Sequence, residues 1–175
     1  MHGRAERRAF SFPPLPLENE RLVDDRQRTF LRTAARGDGH ALARLRRASL
    51  LELGALQPED DVRFERDAAH AFEDLLASEA LAAWLLVDDG RVVGSASMLF
   101  WQRLPYPETS WHGELAGVYV APGLRNRGYA RELCREAVAT ARARGVRHIV
   151  VHPSAGARSL YASLGFAEGN EMRLR

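Results

Sequence analysis

A loop rich in glycine and arginine joins a run of β-forming residues to an amphipathic helix. Residues 118–130 read VYVAPGLRNRGYA. Backbone N–H groups at a helix N-terminus, together with the helix dipole, make a site for anions. Gly128 and Ala130 are small, so a bulky phosphate can approach the amides, and Arg125 and Arg127 add positive charge. The segment predicts phosphate binding, although it is neither a Walker A loop nor a G-x-G-x-x-G fingerprint.

The composition excludes several other chemistries. All 25 basic residues are arginine, so no lysine can form a Schiff base, a Ser-Lys dyad or the phosphate contact of a P-loop. The single cysteine, Cys134, excludes an internal disulfide, and its place on an apolar stripe predicts a buried thiol. His112-Gly113-Glu114 matches the H-x-E of zinc deaminases, but their P-C-x-x-C is absent. The six histidines show no ligand spacing, so we expect no metal.

The elements that position the loop follow from the apolar pattern. The prolines of residues 12–16 predict a weakly ordered extension over 1–28, followed by one domain over 29–175. Asp38 is the expected N-cap of a first helix, and Asp89-Gly90 predicts a hairpin. Helices are expected over 39–53, 58–78, 128–144 and 155–164. Strands are expected over 29–34, 84–87, 91–100, 114–120 and 146–151, with a loop over 101–112 and a final hairpin of Phe166 with 172–174. The order β-α-α-β-β-β-α-β-α-β-β predicts a mixed α/β fold.

Charge is distributed unevenly along the chain. Residues 61–114 carry four arginines against ten acidic residues, whereas residues 115–175 carry ten arginines against four. The last third can therefore attract an anion and the middle third a cation. Solvated helix faces give the same counts, so charge alone leaves both interpretations open.

The phosphate loop and its surroundings resemble the GCN5-related N-acetyltransferases (the GNAT superfamily). Arg125-x-x-Gly128-x-Ala130 matches the family motif [Gln/Arg]-x-x-Gly-x-[Gly/Ala]. The motif follows a strand and opens a helix, and residues 157–166 resemble the C-terminal helix and strand signature of the family. The resemblance covers about residues 29–175 in the order and spacing of the family.

The resemblance implies a single-domain fold whose mixed central sheet has splayed fourth and fifth strands, with flanking helices. Acetyl-CoA, a co-substrate, is expected to insert into that gap, with its pantetheine along the fourth strand and its pyrophosphate on the loop. Many members carry Asn where this chain has Ser154, which can cap the last helix or reach the cofactor. The expected cofactor-binding residues are Val118, Tyr119, Val120, Arg125, Asn126, Arg127, Gly128, Tyr129, Ala130, Arg131 and Ser154.

By the same resemblance, the expected reaction is direct attack of a primary amine on the thioester, without an acyl-enzyme. Tyr161 matches the tyrosine that protonates the coenzyme A sulfur in many members. Glu114, expected at the start of the fourth strand, is the first candidate for the base that acts through water. The lesser candidates are Glu108, His112 and Asp88, and a water chain without a single base is the alternative. A backbone N–H near Tyr119 or Val120 is expected to hold the oxyanion.

Two functions follow from these residues, an N-acetyltransferase and a non-catalytic GNAT-like module that binds acyl-CoA. The intact phosphate loop together with Tyr161 and Glu114 favours the enzyme. The acceptor is expected to be a small-molecule or peptide amine, and its identity stays open, as does the choice between monomer and homodimer. No apolar run approaches about 20 residues, so we expect no membrane span and a cytoplasmic protein. The arginines alternate with apolar residues at helical spacing, so no nucleic-acid binding is expected.

Overall fold

The computed structural model describes residues 21–24, 29–104 and 111–169, which form one six-stranded sheet with helices on both faces. The strands follow one another in chain order across the sheet, antiparallel from β1 to β5, and β5 pairs with β6 in parallel. The strands are β1 (Arg21–Asp24), β2 (Thr29–Thr33), β3 (Leu81–Asp88), β4 (Arg91–Gln102), β5 (Trp111–Val120) and β6 (His148–Val151). The helices are α1 (Gly39–Glu52), α2 (Asp61–Ala77), α3 (Tyr129–Ala143) and α4 (Arg158–Ala162), with 3-10 turns at Pro58–Asp60, Pro122–Leu124 and Ala155–Ala157.

Each face of the sheet buries its own apolar cluster. The cluster on the α3 face joins Leu133 and Ala137 of that helix to Met98 and Leu115 of the sheet. The cluster on the α1 and α2 face joins Leu42 of α1 to Leu85 of β3. Because α1 and α2 cover one face and α3 the other, β3 is buried along almost its whole length.

The predicted elements correspond closely to the observed ones, and the mixed α/β fold is confirmed. The Asp89-Gly90 hairpin forms as expected, with φ of 46° and 76° at its two central residues. One strand was not predicted. β1 lies inside the segment assigned to the N-terminal extension, and it pairs with β2. The predicted fourth and fifth strands are therefore β5 and β6.

Two predicted boundaries differ from the structure. The loop expected over 101–112 is shorter, because Gln102 pairs with Trp111 and Trp101 with His112 at the ends of β4 and β5. Tryptophan has a high β-strand propensity, and Trp101 and Trp111 extend the antiparallel pairing of β4 with β5. Residues 105–110 lie outside the described residues. Of the expected final hairpin, Phe166 is in irregular structure, and 172–174 lie outside the described residues.

The N-terminus of α1 is capped differently from the prediction. Asp38 occupies the N-cap position, but its side chain makes no cap hydrogen bond. Its carboxylate accepts two hydrogen bonds from Arg32, both of 2.7 Å, and one of 2.8 Å from the backbone N–H of Ala35, and these contacts engage it outside α1. Glu73 of α2 instead accepts hydrogen bonds from the amides of Gly37 and Gly39. These amides hold the pKa of Glu73 below its usual range. A carboxylate of α2 thus fixes where α1 begins.

The parallel pairing of β5 and β6 is short. It runs from His112 opposite His148 to Leu115 opposite Val151, where β6 ends. β5 continues for five more residues, to Val120, and within the described residues no strand pairs with it on that side. The expected splay between these strands is confirmed, and it opens a fork in the sheet.

Gly39 allows α1 to approach α2, and the change Gly39→Ala tests this contact. A Cβ at this position would lie 2.6 Å from the backbone oxygen of Ala69, which cannot move without displacing α2. We expect the free energy of unfolding to fall by about 1–3 kcal/mol, as for other overpacked sites. Urea denaturation measures the loss, and Gly123→Ala, with open space at its Cβ, is the matched control. Equal stability of the two variants would contradict this packing.

Candidate active site

A cavity of about 790 Å³ lies in the fork between β5 and β6. Its walls come from the free edge of β5, the loop and first turn of α3, the region from the end of β6 to α4, and the C-terminal end of α1. The volume is in the range of small-molecule sites. Because neither strand occupies the fork, an extended ligand can run along the free edge of β5 and pair with its backbone.

The N-terminus of α3 lies at one end of this cavity. Asn126 and Gly128 adopt left-handed backbone conformations, with φ of 63° and 87°. These turns bring the first amides of the helix to the cavity. In the described part of the chain, the amides of Tyr129 and Ala130 donate to no backbone carbonyl. Amides of this kind, together with the helix dipole, can hold an anion, and the loop predicted to bind phosphate lies at this position.

The arginines of the loop are used in different ways. Arg131 lines the cavity beside the helix N-terminus, and Arg127 lies outside the lining. Arg125 donates to the carbonyl of Val120 at 2.9 Å and to Glu52 Oε2 at 2.6 Å. Its guanidinium also stacks over the ring of Tyr119, 5.5 Å from the centroid. The structure thus gives Arg125 a bracing contact with α1 that the sequence did not predict.

Glu52 connects this brace to β5. The hydroxyl of Tyr119 donates to Glu52 Oε1 at 2.8 Å, and Arg125 holds the other oxygen. These two hydrogen bonds keep the pKa of Glu52 below its usual range. Burial and the carboxylate raise the pKa of Tyr119. The C-terminal end of α1 is therefore tied to the outer end of β5 across the mouth of the cavity.

Tyr161 reaches the cavity from α4. Its side chain is largely buried and packs edge-on against Phe166, with ring centroids 5.9 Å apart. Burial, followed by the nearby Cys134, raises the pKa of Tyr161 to about 12. The phenol therefore keeps its proton at neutral pH and can serve as an acid. Cys134 is fully buried, as expected, and burial raises its pKa to about 12, which leaves the thiol inert.

The predicted base lies beside the cavity. Glu114 is the fourth residue of β5, not the first, because β5 begins at Trp111. Glu114 is outside the lining, whereas His152 lines the cavity, and its Nε2 atom is 3.9 Å from Glu114 Oε1. His152 thus brings an imidazole to the cavity wall next to the predicted base.

A β-bulge shapes the free edge of β5. Ser97 pairs with Ala116 and Ser95 with Tyr119, so Gly117 and Val118 both lie opposite Ala96. Gly117 has a φ of 61°, and its carbonyl accepts a hydrogen bond of 3.0 Å from the Ser95 hydroxyl. A bulge leaves one residue outside the ladder and turns the strand. Here it redirects the backbone that faces the fork.

Most of the predicted site residues meet in this cavity. Glu114 and Arg127 lie outside the lining. Sequence reasoning missed His152 and the α1 wall, Arg46, Ser49, Glu52 and Leu53, because no motif marks residues that only the fold brings together. The predicted residues that line the cavity are Val118, Tyr119, Val120, Arg125, Asn126, Gly128, Tyr129, Ala130, Arg131, Ser154 and Tyr161.

These features define the class of the protein. A sheet with a forked parallel pair and an anion-binding helix N-terminus at the fork is the arrangement that the sequence resemblance implies. The model of the family described as Acetyltransferase (GNAT) family matches residues 41–166. The chain therefore belongs to the GNAT acetyltransferase family.

Solved structures support the fold. A predicted acetyltransferase from Clostridium acetobutylicum, solved with acetyl-CoA, has 23% identity and a TM-score of 0.75, covering 84% of this chain and 96% of that chain. A GCN5-related N-acetyltransferase from Ralstonia eutropha has 22% identity and a TM-score of 0.74, covering 84% and 97%. An aminoglycoside N-acetyltransferase in complex with CoA has 21% identity and a TM-score of 0.65, covering 88% and 97%. No curated protein matches the chain.

Membrane spans and metal clusters are both absent from the described residues. Among them, no helix is long and apolar enough to cross a membrane. The same part of the chain contains no group of three or more His, Cys, Asp or Glu residues arranged to hold a metal ion.

Glu52→Gln tests the brace between α1 and β5. The substitution removes the negative charge beside Tyr119, so we expect the pKa of Tyr119 to fall relative to wild type. NMR titration of protein labelled with ¹³C-tyrosine measures the shift. Glu132→Gln, which breaks the ion pair with Arg135 on α3, is the control and should leave Tyr119 unchanged. An unaltered Tyr119 titration in Glu52→Gln would exclude the contact.

Proposed function

We propose that this chain is an acetyl-CoA-dependent N-acetyltransferase that transfers the acetyl group to a primary amine by direct attack. The observation that carries the proposal is the fork cavity, which joins an anion-binding helix N-terminus to a protonated phenol along one free strand edge. Structures of similar fold that contain acetyl-CoA or CoA support the assignment of the cofactor.

The cavity suits the two chemical parts of coenzyme A. Pyrophosphate oxygens can accept hydrogen bonds from the amides at the start of α3, and Arg131 adds charge. The free edge from Val118 to Val120 offers backbone groups to the amides of pantetheine, as in the addition of a β-strand. This places the thioester toward the inner end of the fork, where β5 and β6 part.

The reaction needs a hydrogen-bond donor that stabilises the oxyanion and an acid that protonates the departing thiolate. The amine nitrogen attacks the thioester carbon, a C–N bond forms, and the carbonyl oxygen gains negative charge. A backbone N–H on the free edge of β5, beside the thioester, holds that charge. When the C–S bond breaks, the thiolate takes a proton from the Tyr161 hydroxyl. The phenol carries its proton at neutral pH, and the burial that raises its pKa to about 12 also makes it a weaker acid than an exposed tyrosine, so its role depends on contact with the sulfur.

Turnover separates this enzyme from a non-catalytic acyl-CoA-binding module. The assay measures release of the coenzyme A thiol in the presence of acetyl-CoA and a panel of amines: an aminoglycoside, a polyamine, free amino acids and a peptide with a free N-terminus. Acetylation of at least one amine is the expected result. Binding of acetyl-CoA without any turnover would favour the module.

Gly128→Val tests the phosphate loop. A branched side chain at the cavity wall blocks the approach of phosphate to the first amides of α3, so we expect the stabilisation by acetyl-CoA to be lost. For the wild type, a concentration of 100 times Kd gives about 2.7 kcal/mol, visible as a rise in Tm. Gly145→Val is the matched control, because Gly145 also has a positive φ, 78°, but lies at the other end of α3. A normal ligand-induced shift in Gly128→Val would contradict the loop assignment.

Tyr161→Phe tests the acid. Removal of the hydroxyl leaves the packing against Phe166 in place, so we expect acetyl-CoA affinity to remain near wild type. We expect kcat to fall by about 100-fold or more, the usual contribution of a general acid. Steady-state kinetics and acetyl-CoA titration separate the two effects. An unchanged kcat would remove Tyr161 as the proton donor.

A further inference from the structure

We propose that the imidazole of His152 takes the proton from the acceptor amine, and that Glu114 is a positioning residue that acts through it. This inference rests on the proposed function and adds the base to that site. It changes the expectation for Glu114, which the structure places outside the cavity.

His152 stands at the point where the sheet divides. The last paired residues of the parallel ladder are Leu115 and Val151, and His152 is the next residue of the chain. Its counterpart on β5, Ala116, also lines the cavity. The imidazole is therefore beside the inner end of the fork, toward which the proposed cofactor position brings the thioester. Its side chain is 44% exposed, so a proton that it accepts can pass to solvent.

The other titratable groups of the cavity lining are less suited to take a proton. Within the described residues they are tyrosines, arginines and Glu52, apart from His152. Phenols and guanidinium groups carry their protons at neutral pH. Glu52 accepts hydrogen bonds from Tyr119 and Arg125, which lower its pKa and make it a weak base. A neutral imidazole has one ring nitrogen that can accept a proton, and His152 brings this group to the cavity wall.

Glu114 supports the imidazole from the neighbouring strand. Glu114 pairs with Val150, and His152 follows two residues later in the chain, just past the end of β6, so the two side chains lie on the same side of the sheet. The 3.9 Å between Glu114 Oε1 and His152 Nε2 is an ion-pair distance. When the amine attacks, its N–H bond breaks, the proton passes to the imidazole, and the carboxylate stabilises the resulting imidazolium. The only proton moved in this step is that of the acceptor amine, and it passes from the imidazole to solvent.

Kinetics of His152→Gln, Glu114→Gln and the double variant test the pair, with the amine that the wild type acetylates as substrate. We expect His152→Gln to lower kcat by about 100-fold or more while acetyl-CoA still raises Tm. Glu114→Gln should cause a smaller loss that disappears in the His152→Gln background, because it acts through the imidazole. His148→Gln, an exposed histidine on β6 outside the cavity lining, is the matched control.

Chemical rescue adds a measurement that would not change if His152 had only a structural role. In His152→Ala, imidazole added to the buffer should restore part of kcat, while it should leave Tyr161→Phe unrestored. A kcat of His152→Gln within about twofold of the wild-type value would overturn the inference. The inference would also be overturned if Glu114→Gln lowered kcat by the same factor in the His152→Gln background as in the wild type. If the wild type acetylates no amine, the proposed function fails and this inference with it. If the wild type is active and His152→Gln keeps its rate, only this inference fails.

Discussion

The short parallel pairing of β5 and β6 is the constraint on which the site depends. Four residue pairs join the strands, and beyond Leu115 and Val151 the edge of β5 is open. An unpaired strand edge inside a protein exposes backbone groups that need partners. Here the opening lies beside the N-terminus of α3, where the amides of Tyr129 and Ala130 donate to no backbone carbonyl of the described residues. The fold thus brings the free edge of a strand and the start of a helix to one cavity, and an extended ligand with an anionic end would pair with both.

The packing of the rest of the chain keeps this opening from closing. α3 covers one face through Leu133 and Ala137, which pack with Leu115 just before the fork. The bulge at Gly117 then bends the outer half of β5. On the other face, Glu73 fixes the start of α1, and Glu52 ties its end to Tyr119 and Arg125. The walls of the cavity are therefore held by contacts from α1, α2 and α3 and by the bulge of β5.

The sequence predicted local features well and distant contacts poorly. The amphipathic stripe of α3, the Asp89-Gly90 turn and the loop motif are local patterns, and each led to the correct element. Asp38 was expected to cap its own helix, but Arg32 competes for its carboxylate, a contact that no local rule anticipates. His152 and Glu52 carry no motif and join the site only because β6 ends and α1 crosses β5. Glu114 was correctly placed on the strand, but the strand begins three residues earlier than predicted, and Glu114 lies outside the cavity lining.

The brace of Glu52, Arg125 and Tyr119 has a thermodynamic consequence. Arg125 belongs to the loop that opens α3, while Glu52 belongs to the helix that forms the opposite wall of the cavity. A ligand on one wall that strengthened or weakened this ion pair would change the affinity for a ligand that contacts the other wall. Linkage then requires the effect to be reciprocal: whatever the first ligand does to the affinity for the second, the second does to the first.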